Sequence, residues 1–234
     1  MNDPLHPQIS CRVGSTIQTR QPRAQRTQAA ILATAAEHFD AIGYAQTTGH
    51  DIIGACKFTK GALYFHFPSK AAIAQHLAQC WVEAVEDAVA STVDAHTSAL
   101  EQLAAVYRYL AFRIAHEVQL RAGLKLTLEA SVDNSAAFTR WVEAISDIVE
   151  MAIVAGDLID TPATHRLAWN LCAGTVGTTH ATATLCEDID LAMRLEDTFN
   201  AHLSSALAPK ALGKQHNQDN DVMPRQQELP PSTA

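Results

Sequence analysis

Residues 47–70, TTGHDIIGACKFTKGALYFHFPSK, constrain the fold more than any other stretch of the chain. They read as two short helices joined by a tight turn. Thr48 precedes a helical pattern and Asp51 follows three residues later. At that spacing a hydroxyl and a carboxylate satisfy orphan backbone N–H groups at a helix start. Ile52, Ile53 and Cys56 supply the apolar side, and Cys56-Lys57-Phe58 makes the turn. Thr59 can cap a second helix carrying Lys60, Gly61, Ala62, Leu63, Tyr64, Phe65 and His66. Phe67-Pro68 ends it, because the residue before a proline is pushed out of helical geometry.

In that second helix Leu63 and Phe67 are four apart and can both face inward. The other face offers Thr59, Lys60, Tyr64 and His66 around the small residues Gly61 and Ala62. Small residues let a helix approach a surface closely, and the polar side chains suit phosphates and base edges. A recognition helix entering a major groove has this pattern. So does a plain helical hairpin with a polar outer face.

The residues also carry a family resemblance. Thr47-Thr48, Asp51-Ile52, Thr59 through Phe67 and Ser69-Lys70 resemble the DNA-binding signature of the tetracycline-repressor (TetR) family of bacterial transcription regulators. The run TKGALYFHF is most similar to its γ-butyrolactone receptor branch, found mainly in actinomycetes. The resemblance implies DNA contacts from Thr48, Thr59, Lys60, Gly61, Ala62, Tyr64, Phe65, His66 and Lys70. In the family, a first-turn lysine matching Lys70 meets phosphate. A lysine there is mildly unfavourable for the helix dipole, so an external anion is a sensible reason for it. One departure stands out: the family usually has glycine at the turn, where this chain has Lys57. A left-handed backbone there would cost lysine roughly 1 kcal/mol relative to glycine.

The 234 residues allow one large domain or two small ones. Helix formers are plentiful, alanine above all, glycine is sparse and no β-alternation stands out, so the fold class is all-α. With the resemblance this becomes an N-terminal three-helix DNA-binding domain with a helix-turn-helix, and a C-terminal helical ligand-binding and dimerisation domain. The expected divisions are an N-terminal arm at 1–24, the DNA-binding domain at 25–70, the helical domain at 71–208 and a tail at 209–234. The two ends are expected to be disordered, being polar and proline-punctuated. With Arg20, Arg23 and Arg26 the first of them is either a basic arm able to reach DNA or a solvated tail. No apolar run reaches the roughly 18 residues of a membrane span, and the N-terminus lacks an apolar signal core, so a cytoplasmic protein without membrane contact is expected.

The net charge of −8 divides unevenly. Residues 1–70 hold seven basic and four acidic residues, +3; the remainder holds ten basic and twenty-one acidic, −11. Positive charge is thus segregated to the end with the helix pair, as expected when only that part meets phosphates. Five cysteines, an odd number without a CxxC pair, argue against a disulfide framework or a zinc ribbon. His76 and Cys80 are four apart but have no partners to complete a metal set, so neither metal nor cofactor is expected.

Ile31, Ala35, Phe39 and Ile42 recur at helical spacing between Arg26 and Tyr44, with Gly43 as C-cap. A long helix follows from Lys70 to about Val93, with Ile73, Leu77, Cys80, Trp81 and Val85 as its stripe. Further helices are expected at 99–117, 119–131, 136–156, 163–186 and 189–208. Gly123 marks a break or bend, and breaks fall at Asp133-Asn134, Gly156-Asp157, Thr161-Pro162 and Glu187-Asp188. The stretch LAWNLCAGTVGTTHATA, Leu167 to Ala183, is small and apolar, and Gly174 and Gly177 make sense where another helix comes close. That suits a helix-pair dimer interface, where the family dimerises, or a close contact within the chain. A dimer would place two recognition helices about one DNA turn apart and imply a pseudo-palindromic double-stranded operator.

RAGLKL at 121–126 and FTRW at 138–141 are again similar to the γ-butyrolactone receptor branch, in which a tryptophan matching Trp141 lines the ligand pocket. A buried indole needs a partner for its N–H, and a ligand carbonyl is one. Helix phase makes Trp81, Leu110, Leu124, Thr127, Leu128 and Ile145 its candidate neighbours. No ionic clamp is evident, so a small, mostly apolar ligand with a few polar groups fits best. The chain has no HExxH, GxxxxGK[ST], GxSxG or Gly-rich dinucleotide fingerprint, so it is not expected to be an enzyme. The expected function is that of a homodimeric transcriptional repressor, released from its operator by a diffusible γ-butyrolactone, butenolide or furan. A repressor answering antibiotics or other lipophilic compounds is the first alternative. A ligand-less helical interaction protein is the second.

Overall fold

Several helix starts in this protein are set by side-chain caps, at Thr48, Thr59, Ser69, Ser98 and Asp190. The computed structural model describes residues 20–209 apart from Lys57, Ala95 and residues 186–189. The Lys57 turn, the Glu187-Asp188 break, residues 1–19 of the arm and the tail beyond residue 209 lie outside the described residues. The described residues form helices α1 (Arg20–Ile42), α2 (Gly49–Cys56), α3 (Lys60–His66), α4 (Lys70–Ser91), α5 (Ala99–His116), α6 (Val118–Leu126), α7 (Ser135–Val154), α8 (Leu167–Leu185) and α9 (Leu191–Ser204), with a single 3-10 turn at Thr164–Arg166. The all-α class is observed. Two compact units divide between Ile73 and Ala74, inside α4.

In the first unit α1 begins six residues before the expected Arg26, so residues 20–24 are helix and not arm. The physical reason is local: Arg, Gln and Ala are good helix formers, and a proline is tolerated in a first turn whose N–H groups have no helical partner. Gly43 ends α1 at φ +85°, the left-handed position that favours glycine, and its N–H donates to Phe39 O at 3.1 Å. Ile31, Ala35, Phe39, Ile52, Leu63, Phe67 and Ile73 form the buried side of this unit.

In the second unit a single apolar cluster draws on α4 through α9, centred on Trp81, Leu110, Trp141, Ile145, Leu171 and Phe199. A capping box starts α5: Glu101 N–H donates to the Ser98 hydroxyl (3.2 Å) while Glu101 Oε2 accepts from Ser98 N–H (2.8 Å). Helix α6 runs through Gly123 without a break. A Cβ there would lie 2.4 Å from the Leu77 carbonyl oxygen, so the glycine lets α6 lie directly on α4. The same helix stops at Leu126, five residues before the expected end. Thr127 Oγ1 donates to Leu124 O (2.7 Å) and Asn134 Nδ2 to Leu126 O (3.1 Å), taking carbonyls that a longer helix would use. Helix α9 stops at Ser204 because the chain then pairs with the segment after α7: Ile159 N–H donates to Ala206 O and Ala208 N–H to Asp157 O.

The two glycines of α8 have different neighbours. Gly174 faces α9, where a Cβ would lie 3.2 Å from Thr198 and 3.3 Å from His202. A Cβ on Gly177 would meet nothing within 4 Å. The close contact of Gly174 is therefore within the chain, whereas Gly177 is exposed, as are Trp169, His180 and Leu185 on the same helix.

His165 ties the 3-10 turn to its neighbours. Its Nδ1 lies 2.6 Å from Glu150 Oε1 and its Nε2 2.9 Å from Asp160 Oδ1. Hydrogen bonding to Glu150, then to Asp160, raises the His165 pKa above its ordinary 6.5. A raised folded-state value means the stabilisation is complete below 6.5 and is lost as pH rises through that raised value. Urea titrations should therefore show the wild type more stable than His165→Gln below about pH 6, with the gap closing as the solution becomes alkaline. A gap that widens with pH would refute the ion-paired assignment.

Candidate DNA-binding helix pair and ligand cavity

The helix pair is held by local caps. Thr48 N–H and hydroxyl both donate to Asp51 Oδ2 at 2.7 Å, and Asp51 N–H donates back to Thr48 Oγ1 at 3.2 Å. Those bonds from Thr48 hold the Asp51 carboxyl below its usual range. Thr59, in extended backbone geometry, accepts from Ala62 N–H at 3.2 Å and starts α3. Phe67 is extended (φ −135°) and ends it. Leu63 and Phe67 are buried with Ile52 beneath the pair.

The outer face of α3 then carries Thr59, Lys60, Gly61, Tyr64 and Phe65, all exposed, with Ala62 and His66 half-buried. Phe65 is 82% exposed, which is unusual for a phenylalanine and leaves its ring free for an outside surface. Lys60 Nζ stands 6.0 Å from the Tyr64 ring centroid, and Phe65 meets His66 edge to face at 5.2 Å. The face therefore combines a cation, hydroxyls and an aromatic edge around a small residue.

Lys70 has an occupation that its position in the sequence did not reveal. Its ammonium donates to Tyr44 O and to Thr47 O, both at 2.8 Å, and sits 3.9 Å from the Tyr44 ring centroid. Two of its three donors thus hold the turn between α1 and α2. Thr48, likewise, uses its hydroxyl as an N-cap.

The candidate ligand residues are divided by the structure. A small cavity of about 10 Å³ is lined by Trp81, Leu110 and Trp141 from the expected set. Tyr107, Ala111, Ile114, Thr175 and Leu195, which helix phase around Trp141 did not supply, complete its wall. Leu124, Thr127 and Ile145 are buried but do not line it. Leu128 lies past the end of α6 and is 50% exposed, so it faces away from the cavity wall.

The wall is apolar apart from four side chains. The Tyr107 hydroxyl donates to Leu171 O at 2.9 Å and pairs closely with the Thr175 hydroxyl, which itself bonds Leu171 O at 2.8 Å. Burial raises the Tyr107 pKa, so the phenol stays protonated. The remaining two are Trp81 and Trp141, which meet edge to face with centroids 4.9 Å apart. Both indole Nε1 atoms are buried, and neither has a hydrogen-bond partner among the described residues. No helix among the described residues is long and apolar enough to cross a membrane.

An exposed recognition-type helix in one unit and a cavity-bearing helical bundle in the other define a two-unit helix-turn-helix protein. Residues 31–77 match the family of bacterial regulatory proteins described as tetR. The chain's likeness lies with the γ-butyrolactone receptor branch. The chain is 34% identical over 142 residues to the A-factor receptor protein of Streptomyces griseus, an alignment covering 59% of this chain and 49% of that protein. It therefore matches about half the length of that relative. A crystal structure of a γ-butyrolactone receptor (ArpA-like protein) superposes with a TM-score of 0.68 at 25% identity, covering 86% of this chain and 100% of that one. TylP, a tetR regulator from Streptomyces fradiae, gives 0.65 at 27% identity, with the same coverage.

If the Lys70 ammonium is a structural staple, Lys70→Met should lower stability in urea by about 1–3 kcal/mol, the cost of leaving carbonyls unpaired. An unchanged midpoint would mean that the two carbonyl bonds contribute nothing.

Proposed function

We propose that the protein is a homodimeric, ligand-responsive transcriptional repressor. Its operator would be a pseudo-palindromic DNA duplex, and its releasing signal an uncharged γ-butyrolactone or a related butenolide or furan. The observation that carries this reading is the pair of unpartnered indole N–H groups on an otherwise apolar or self-paired cavity wall. With no cation on the described wall, burying a carboxylate is costly, whereas a lactone supplies an uncharged carbonyl acceptor on a mostly apolar body. The similarity to an A-factor receptor and to γ-butyrolactone receptors points the same way. The cavity, about 10 Å³, holds no more than a single water, so a ligand must widen it. That widening would prefer one conformation of the second unit, and ligand and operator would each weaken the other's binding.

DNA contact is assigned to Lys60, Tyr64, Phe65, His66 and Thr59 on α3, with Gly61 and Ala62 permitting close approach. Thr48 and Lys70 are assigned to phosphates only through the bonding capacity that their structural roles leave. Dimerisation is assigned to the outward side of α8, where Trp169 is 56% exposed and Gly177 is open to a neighbouring helix.

A gel shift on the protein's own upstream region, with and without a synthetic γ-butyrolactone, tests the reading. A shift that the lactone abolishes supports it; a shift insensitive to the lactone but lost with an antibiotic would favour the lipophilic-compound alternative. Lys60→Ala should weaken operator binding across sequences and reduce the salt slope by about one, with the dimer intact by size exclusion. Unchanged affinity would remove Lys60 from the interface. Trp141→Phe should leave the shift in place and raise the lactone concentration needed for release about tenfold. Release at the wild-type concentration would remove the Trp141 N–H from the site.

A further inference from the structure

We propose that Arg140 is a positioning residue for the cavity: its surface bonds to α4 latch the Trp81–Trp141 side shut, and a ligand must break them to enter. This inference rests on the ligand-responsive reading above and adds to it the contact that resists the signal.

Entry depends on which wall can move. The cavity, about 10 Å³, admits nothing larger than a water until some of its lining side chains separate. The side built from α5, α8 and α9 is tied within itself. Tyr107 bonds the Leu171 carbonyl and the Thr175 hydroxyl of α8, and its ring stacks on Phe199 of α9 with centroids 4.6 Å apart. The opposite side is the edge-to-face contact of Trp81 on α4 with Trp141 on α7, in which neither indole N–H has a hydrogen-bond partner among the described residues. Parting these two rings breaks no hydrogen bond of theirs, so the cavity opens most readily between α4 and α7.

Arg140 precedes Trp141 on α7 and closes that seam from outside. Its guanidinium pairs through Nη2 with the Glu86 carboxylate and donates through Nη1 to Gln79 Oε1 at 3.4 Å. Gln79 and Glu86 are about two turns apart on α4 and flank Trp81 in the sequence, so one cation holds the stretch that carries the cavity tryptophan. Gln79 Nε2 donates onward to Glu83 Oε1 at 3.2 Å, which leaves its amide oxygen for Arg140. Helix α4 matters beyond the cavity, because the division between the two units falls inside it. Arg140 and Glu86 are 45% and 52% exposed, so the latch is weak and sensitive to salt. A pair of this kind shifts an equilibrium by about two- to fivefold. A tie that favours the closed state opposes a ligand that binds the open one, so breaking it should help the ligand.

Hydrogen exchange at the indole N–H groups of the full-length protein reads the latch without any ligand. Glu86→Met, which keeps length and helix preference and removes the acceptor, should speed exchange at Trp81 and Trp141 about two- to fivefold. The backbone amides of Leu171 and Phe199 should be unaffected. Arg140→Met should do the same, the double variant should add nothing further, and the swapped pair Glu86→Arg with Arg140→Glu should restore slow exchange. Raising the salt concentration should bring the wild type toward Glu86→Met and leave that variant unmoved, an arm that needs no altered fold. Unchanged indole exchange in both single variants, or equal acceleration at Leu171 and Phe199, would overturn the latch. In titration calorimetry, γ-dodecalactone should bind Glu86→Met about two- to fivefold more tightly than the wild type. Equal or weaker binding to the variant would overturn the latch and leave the lactone reading standing. A wild type that does not bind this probe counts against the lactone reading, and the exchange rates then decide the latch.

Discussion

The edge-to-face contact of two buried indoles sets the terms for the second unit. An aromatic pair of this kind contributes roughly 0.5–1.5 kcal/mol beyond its burial. Each unpartnered N–H costs about 1–3 kcal/mol, so the pair alone is no gain. The surrounding cluster has to hold it. Leu110, Ile114, Ile145, Leu171 and Leu195 are all nearly fully buried around it. Gly123 matters for the same reason: without a Cβ, α6 lies against the carbonyl of Leu77 and closes the cluster on the side that carries Trp81. The apolar packing keeps in place a polar deficit that the chain itself does not repair.

The first unit is arranged in the opposite way. Its helices α2 and α3 have eight and seven residues, too few to persist alone. They depend on the buried Ile52, Leu63 and Phe67 and on caps that leave few polar groups unpaired near the helix starts. Thr48 with Asp51, Thr59 with Ala62, and Ser69 with Ala72 are each local pairings. Lys70 adds a bond across 26 residues, to Tyr44, and so fixes the turn that leads into α2. With the inner face so satisfied, the exposure of Lys60, Tyr64 and Phe65 is left as the distinctive feature of the outer face.

What was legible in the sequence follows this division. Caps are local, so Thr48, Asp51, Thr59 and Gly43 could be read from spacing, and the periodicity of Ile31, Ala35 and Phe39 disclosed α1. Of the cavity, the family resemblance disclosed Trp141 and helix phase disclosed Trp81 and Leu110. Its other walls come from α5, α8 and α9, at positions 107, 175 and 195, which no local pattern brings to residue 141. Leu128 shared the helical phase of its neighbours, but the side chains of Thr127 and Asn134 end α6 before reaching it. The carbonyl bonds of Lys70 were not legible, because their acceptors are separated from it by more than twenty residues. The glycines of α8 were read together, although one meets α9 and the other meets open space.

The polar deficit also sets a scale for switching. Moving a two-state equilibrium from about 1:99 to about 99:1 takes a differential affinity near 5.5 kcal/mol. A ligand that pairs one buried N–H recovers about 1–3 kcal/mol, which shifts such an equilibrium only part of the way. Pairing both recovers about 2–6 kcal/mol, a range that reaches the required value at its upper end. In the proposed reading, a single tryptophan would make a site that binds, whereas two make a site able to reset the protein. In that reading the N–H groups of Trp81 and Trp141 are bonds that the fold leaves unmade and a ligand would complete.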